Sequence, residues 1–297
     1  MTYGDFATKI TQLIVAFDNK FREGARNMQK IEKIHETLFD ILVAIDELCE
    51  KHGITYYLDS GTLLGAVREK DFIAWDDDAD ITMKREDYEK FLSVAEELPE
   101  KYKLVTPESY GGYFFDFTPR VLDMSAPLRE ESEADIAQNN YQNRVAVDIF
   151  IIDRAPDDKK AFSKMVFCQK MIYGNAMAHR YEKSSEKHSF VQNMQVAVLR
   201  TMGRFMRLEK IYKRQEKLST KYRNEQTSHY CVTNFPVRAL GHHFDAEVFS
   251  TPIKMTLRGR AFSCPSGYDA ILTKYYGDYM TPPKKEDRVS IHIGEEK

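Results

Sequence analysis

Three observations predict an α+β fold, a mixed α/β sheet carrying a helical addition. Short β-branched and aromatic runs crowd the first 155 residues, and the stretch from about 158 to 225 reads as mostly helical. No repeat of 20–50 residues and no low-complexity tract divides the chain. Its 297 residues are enough to bury a substantial core, and 42% hydrophobic with 30% charged residues is ordinary globular usage. A net charge of -3 excludes nucleic-acid binding by bulk electrostatics. The four scattered cysteines, Cys49, Cys168, Cys231 and Cys264, include no C-x-x-C pair, which argues against a disulfide scaffold or zinc finger. The N-terminus shows no signal-peptide pattern, and the longest charge-free run (226–237) is below the roughly 18 residues of a membrane span. A soluble, cytoplasmic protein is expected.

The elements follow in order. Residues 31–52 place Ile31, Ile34, Leu38, Ile41, Leu42, Ile45, Leu48 and Cys49 at spacings of three and four, predicting an amphipathic helix stopped by Gly53. ITYYLD (54–59) reads as a strand, and SGTLLGAVR (60–68) as a small-residue turn opening a short helix. DADITM (78–83) predicts a second strand, followed by a helix over 86–98 that Pro99 ends. YFFDFTPRVLD (113–123) and RVAVDIFIID (144–153) are further strand candidates. Near the end, Ser266 and Asp269 make a capping-box pattern for a helix carrying Tyr268, Ile271, Leu272 and Tyr275, closed by Gly277.

The densest chemical signal is W-D-D-D-A-D-I (75–81), four carboxylates within five residues. In a strand Asp78 and Asp80 project the same way, a site for a hard divalent cation such as Mg²⁺; the alternative is an acidic turn before a strand. An EF-hand fails, because its glycine and terminal glutamate positions hold Ile81 and Asp87. Asp148 lies midway along an apolar strand, where a carboxylate is expensive unless compensated. It is either a third metal ligand beside Asp78 and Asp80 or half of a structural salt bridge. Ser60-Gly61-Thr62 offers backbone N–H groups to an anion at a helix N-terminus, a weak signal that gains weight from its closeness to the aspartates.

Together these runs resemble the LicD family, bacterial phosphocholine transferases related to fukutin. G-T-L-L-G-A-V-R-E-K-D-F-I-A-W-D-D-D-A-D-I (61–81) is similar to its signature block, V-D-I-F-I-I-D to its third-aspartate strand, and P-S-G-Y-D-A-I-L-T-K-Y-Y-G-D-Y-M-T-P-P (265–283) to its C-terminal motif. The resemblance covers roughly residues 30–295, with nothing matched with assurance over about 155–235. It implies a nucleotidyltransferase-like mixed sheet, with 1–30 a helical extension and 31–297 the catalytic domain carrying a helical insertion at about 155–235. The implied activity is transfer of a phospho-alcohol, most often phosphocholine, from a CDP-linked donor to a hydroxyl of a cell-surface glycan or teichoic acid precursor. Asp78, Asp80 and Asp148 would hold one or two Mg²⁺ ions, with Mn²⁺ an acceptable substitute, and Gly61 and Thr62 the donor phosphate. Arg68 and Arg120 are candidates to neutralise phosphate charge, and Asp148 to act as general base. Rival readings are a transferase for CDP-linked ribitol or glycerol phosphate, a true nucleotidyltransferase, and an inactive binding module on the same fold.

Several features stay open. His242-His243, His292 and Trp75 have packing roles as ready as functional ones. A choline head would call for an aromatic cage, with candidates in Y-F-F-D-F (113–117) and at Tyr275, Tyr276 and Tyr279. Residues 196–223 hold nine Lys or Arg against two Glu. They make either a core-packed helix with a solvated basic face or a face for anionic lipid, worth about 1 kcal/mol per basic residue.

Overall fold

The apolar spacing of 31–52 does form a helix, but a longer one. In the computed structural model, which describes residues 3–181, 190–235, 237, 240–288 and 290, helix α1 runs unbroken from Tyr3 to His52. Leu38, Ile41, Leu42 and Ile45 are fully buried along one of its faces, each side chain worth about 1.5–3 kcal/mol of burial. That face lies against the sheet.

Strand β1 (Tyr56–Leu58) pairs antiparallel with β2 (Ala79–Lys84), and β2 pairs parallel with β5 (Ala146–Ala155). The first residues of β5 pair antiparallel with β4 (Arg120–Asp123), which pairs with β3 (Tyr102–Val105). The last residues of β5 pair, on the same side, with β6 (His229–Val232), and β6 with β7 (His243–Asp245), completing a seven-stranded sheet. A hairpin of β8 (Pro252–Leu257) and β9 (Arg260–Pro265) turns through Arg258 and Gly259, both left-handed as a primed turn requires. The α+β expectation is met.

Helix α2 (Ser60–Arg68) joins β1 to β2, and α3 (Arg85–Val94) follows β2, ending in a 3₁₀ turn at Ala95–Glu97 before Pro99. A short α4 (Glu133–Ala137) precedes β5. Helices α5 (Lys159–Ala176), α6 (Phe190–Arg204) and α7 (Leu208–Ser219) form the insertion between β5 and β6, and α8 (Tyr268–Tyr276) packs on α2.

Two sequence expectations are corrected. Of 113–123, only Arg120–Asp123 is strand. Phe114 and Phe117 leave the sheet to pack with Tyr173 and Tyr212 of the insertion, and the Phe114 N–H donates to the His179 carbonyl. Helix α8 is capped by Gly267 with no side-chain cap bond, so Ser266 and Asp269 form no capping box; Asp269 instead accepts from the Tyr279 hydroxyl. Gly277 does close α8, with φ of 68°. No helix among the described residues is long and apolar enough to cross a membrane.

Candidate active site

One row of ladder partners across the sheet carries charge. The N–H of Asp59, just past β1, donates to the Asp80 carbonyl at 3.0 Å. Asp80 of β2 pairs with Asp148 of β5, and Asp148 pairs with Arg120 of β4. Directly opposed residues share a face, so Asp59, Asp80, Asp148 and Arg120 line up perpendicular to the strands. Asp78, one residue before β2, joins Asp148 in lining a hollow of about 60 Å³, with Asp77, Arg120, Tyr141 and Arg144 on its other walls. The three aspartates singled out in the sequence are therefore neighbours.

The row is overloaded with negative charge. Asp80 is pushed well above the usual carboxylate range, first by burial and then by Asp78, Asp148, Asp59 and Asp76. Burial raises Asp59 to about 6, against hydrogen bonds from the Thr82 hydroxyl and the Ser60 N–H. Burial also lifts Asp148 to about 6 against the pull of Arg120. Arg120 grips both Asp148 oxygens, at 2.6 and 3.0 Å, and Asp116 at 2.6 Å. Burial alone would depress that guanidinium, but Asp116 and Asp148 outweigh it and raise its pKa well above normal. The salt-bridge alternative for Asp148 is thus realised in this structure, and Arg120 neutralises carboxylates.

The turn into α2 is built around the row. Asp59 is the N-cap, and Ser60 adopts a left-handed φ of 47°, a strain that persists only where surroundings enforce it. Gly61 has no room for a side chain: a Cβ there would lie 2.1 Å from Asp76 Oδ2. Thr62 is 2% exposed, and its hydroxyl accepts from the Asp80 N–H at 2.9 Å, which fixes the carboxylate's backbone. Arg68 sits at the other end of α2, about 12 Å along the axis from Ser60. It bonds Glu69 and the Tyr279 carbonyl, with Nη2 buried and without a hydrogen-bond partner. The structure ties it to the C-terminal segment.

Among the aromatic candidates, Tyr275 and Tyr276 both feel the charge of the row through Asp59 and Asp80. Burial raises the Tyr276 hydroxyl's pKa, helped by Asp80, Asp59, Asp76 and Asp78. Phe115 lines the hollow beneath the Arg120 guanidinium, 4.8 Å from its ring. Tyr113 meets Tyr181 edge-on. The Tyr275 ring lies tilted against His242 at 4.9 Å, and His243 stacks on His229 at 4.1 Å, so the adjacent histidines serve opposite packing sets. His292 lies outside the described residues. Asp59, Asp116, Arg144 and Arg288, which lies over the Trp75 ring at 4.7 Å, were not foreseen as site residues. Only Asp59 carried a usable signal, an N-cap residue directly before a small-residue turn.

The chemistry of this donor set suits a hard divalent cation: several buried oxygen anions, mutually repelling, with one arginine among them. As placed, no three His, Cys, Asp or Glu side chains among the described residues close round one point. An ion would have to share Asp148 with Arg120.

An acidic row beside a strand-to-helix turn on a mixed sheet is the arrangement expected of a nucleotidyltransferase-like domain. A family model described as "LicD/FKTN/FKRP, nucleotidyltransferase domain" matches residues 53–167. The lipopolysaccharide cholinephosphotransferase LicD of Haemophilus influenzae is 30% identical over 265 residues, 86% of this chain and 93% of that protein. An uncharacterised protein of Rickettsia typhi is 41% identical over 63 residues, 21% of this chain and 20% of its own length. One of Rickettsia prowazekii is 45% identical over 51 residues, 17% and 19% respectively. This chain belongs to the LicD family and is a transferase of that type.

Proposed function

We propose that this chain transfers phosphocholine from CDP-choline to a hydroxyl of a lipopolysaccharide-type glycan. The observation that carries the reading is the crowding of carboxylates along the row Asp59–Asp80–Asp148–Arg120, where Asp80 is held well above the usual carboxylate range, an arrangement that suits polyphosphate chemistry. The alcohol and acceptor are those named for the Haemophilus relative. Mg²⁺, or Mn²⁺ in its place, is assigned to Asp78, Asp80 and Asp148; when bound it supplies charge neutralisation at the donor diphosphate.

The protein's own groups then divide the work. Thr62 and Asp59 hold the backbone and neighbourhood of Asp80 fixed. Asp148 takes the proton from the acceptor hydroxyl, and Arg120 keeps its carboxylate aimed. The acceptor oxygen bonds to the choline-bearing phosphorus as the bond to CMP breaks. Tyr276 offers a ring face for the quaternary ammonium, which has no hydrogen to donate.

Thermal-shift measurements with CDP-choline, CDP-ethanolamine, CDP-ribitol, CDP-glycerol and nucleoside triphosphates, each with and without Mg²⁺, test the donor. CDP-choline with Mg²⁺ is expected to raise Tm most and to release CMP when lipopolysaccharide is added. A larger shift with another CDP-alcohol reassigns the transferred group. No shift with any CDP-linked donor overturns the reading.

A further inference from the structure

The hollow beside the acidic row is lined by two arginines in different states. Arg120 is committed, since it grips both oxygens of Asp148 and reaches Asp116. Arg144 lies half-buried just before β5, and it lines the hollow together with Ala146 and Asp148, every second residue of that chain segment. Its guanidinium is held by main chain: Nε donates to the Met124 carbonyl at 3.1 Å and Nη1 to the Asn143 carbonyl at 2.8 Å. Among the described residues Nη2 has no hydrogen-bond partner, and no carboxylate forms an ion pair with this arginine.

Two neutral carbonyls orient a cation and leave its charge unmatched. A guanidinium fixed in this way offers donors in the planar fork that suits a phosphate group. Arg68, the other arginine singled out for such a role, is spent on Glu69 and the Tyr279 carbonyl. The size of the hollow narrows the ligand. A water takes about 10–15 Å³ of such space, so a hollow of about 60 Å³ matches the bulk of one phosphate and not of a nucleotide.

We propose that Arg144 binds the choline-bearing phosphoryl group of the donor, with Nη2 on a non-bridging oxygen. Placing that particular phosphorus here rests on the transfer reading above, because Asp148, which takes the acceptor proton, lines the same hollow. The phosphate site itself does not depend on it. Charge on the non-bridging oxygens during transfer then meets a cation that no carboxylate already neutralises.

Calorimetric titration of the full chain, with Mg²⁺ present, compares CDP-choline, CDP and CMP on wild type, Arg144→Gln and Arg144→Lys. CMP lacks the transferred phosphate. Arg144→Gln should therefore weaken CDP-choline and CDP by about ten- to a hundredfold and leave CMP unchanged, which also shows that the variant is folded. Arg144→Lys keeps the charge without the fork and should recover part of the loss. Inorganic phosphate reads the site without any nucleotide, and it should raise Tm of wild type but not of Arg144→Gln. Equal losses for CMP and CDP overturn the proposal, as does a phosphate response that Arg144→Gln shares. If no CDP-linked donor binds wild type while phosphate still separates it from Arg144→Gln, the transfer reading fails and the phosphate site stands. Wild type that responds to neither phosphate nor CDP overturns both.

Discussion

Two aspartates five residues apart on β5 live in opposite electrostatic worlds. Asp153 accepts from Arg85 Nε at 2.8 Å and Nη2 at 2.7 Å, and from the Thr233 hydroxyl; Arg85 reaches on to the half-exposed Glu216. Asp148 also has an arginine, but that arginine is shared with Asp116, and Asp80, Asp78 and Asp59 crowd in behind. In the first cluster one arginine serves one buried and one half-exposed carboxylate, and it ties β5, α3 and α7 together. In the second, Asp80, Asp78 and Asp59 add like charge beyond what one arginine offsets, and burial with that repulsion raises Asp80.

Exchanging single atoms breaks that comparison most sharply. Asp80→Asn is expected to cut turnover a thousandfold or more, about 4 kcal/mol of barrier, with Tm unchanged or raised because like charges are relieved. Turnover within tenfold of wild type would remove Asp80 from the chemistry. Arg85→Met should do the converse. It strands the Asp153 charge in the interior and costs about 3–5 kcal/mol in urea unfolding, most of it recovered in Arg85→Met/Asp153→Asn. Similar stabilities for the single and double variants would show that the pair is not coupled.

Asp59 gives a pH signature. Its folded pKa of about 6 lies above the unfolded value of 3.8, so the folded state binds the extra proton between those limits. Stability should therefore fall by up to about 3 kcal/mol as pH rises from about 4 to 6, and the slope of Asp59→Asn should be flatter over that window. Identical slopes in the two proteins would assign the dependence elsewhere. Smallest is Gly61→Ala. The new methyl meets the tip of the Asp76 side chain, not backbone, so the loss should be under about 1 kcal/mol, with turnover down about tenfold. An unaffected rate would free Asp76 from any part in the site.

The parts legible in the sequence were those with strong local signals. Residues 31–52, the β5 run and the aspartates 78, 80 and 148 have periodicity or charge that survives in any fold. The aromatic run 113–119 misled because Phe114 and Phe117 satisfy their hydrophobicity against Tyr173 and Tyr212, about 60 and 95 residues further on, outside the sheet. Strands β3 and β6 to β9 are three to six residues long, too short to show a period. The pairing of Arg120 with Asp148 and Asp116 was hidden, because Asp148 becomes its neighbour only through β4–β5 register. Asp59 hid at the end of a strand; its place beside Asp80 depends on β1 pairing with β2.

The pairing of β2 with β5 is the only parallel one among the described strands, and it joins Asp80 to Asp148 across 68 residues. Closing so long a loop is entropically slow compared with forming a hairpin, and nothing local rewards it in advance. During synthesis, β1, α2 and β2 can assemble as soon as they emerge, yet they hold only half of the acidic row. The other half arrives with β5, after β3 and β4 have been made. A chain ending before residue 146 therefore carries Asp59 and Asp80 but lacks the strand that brings Asp148 beside them.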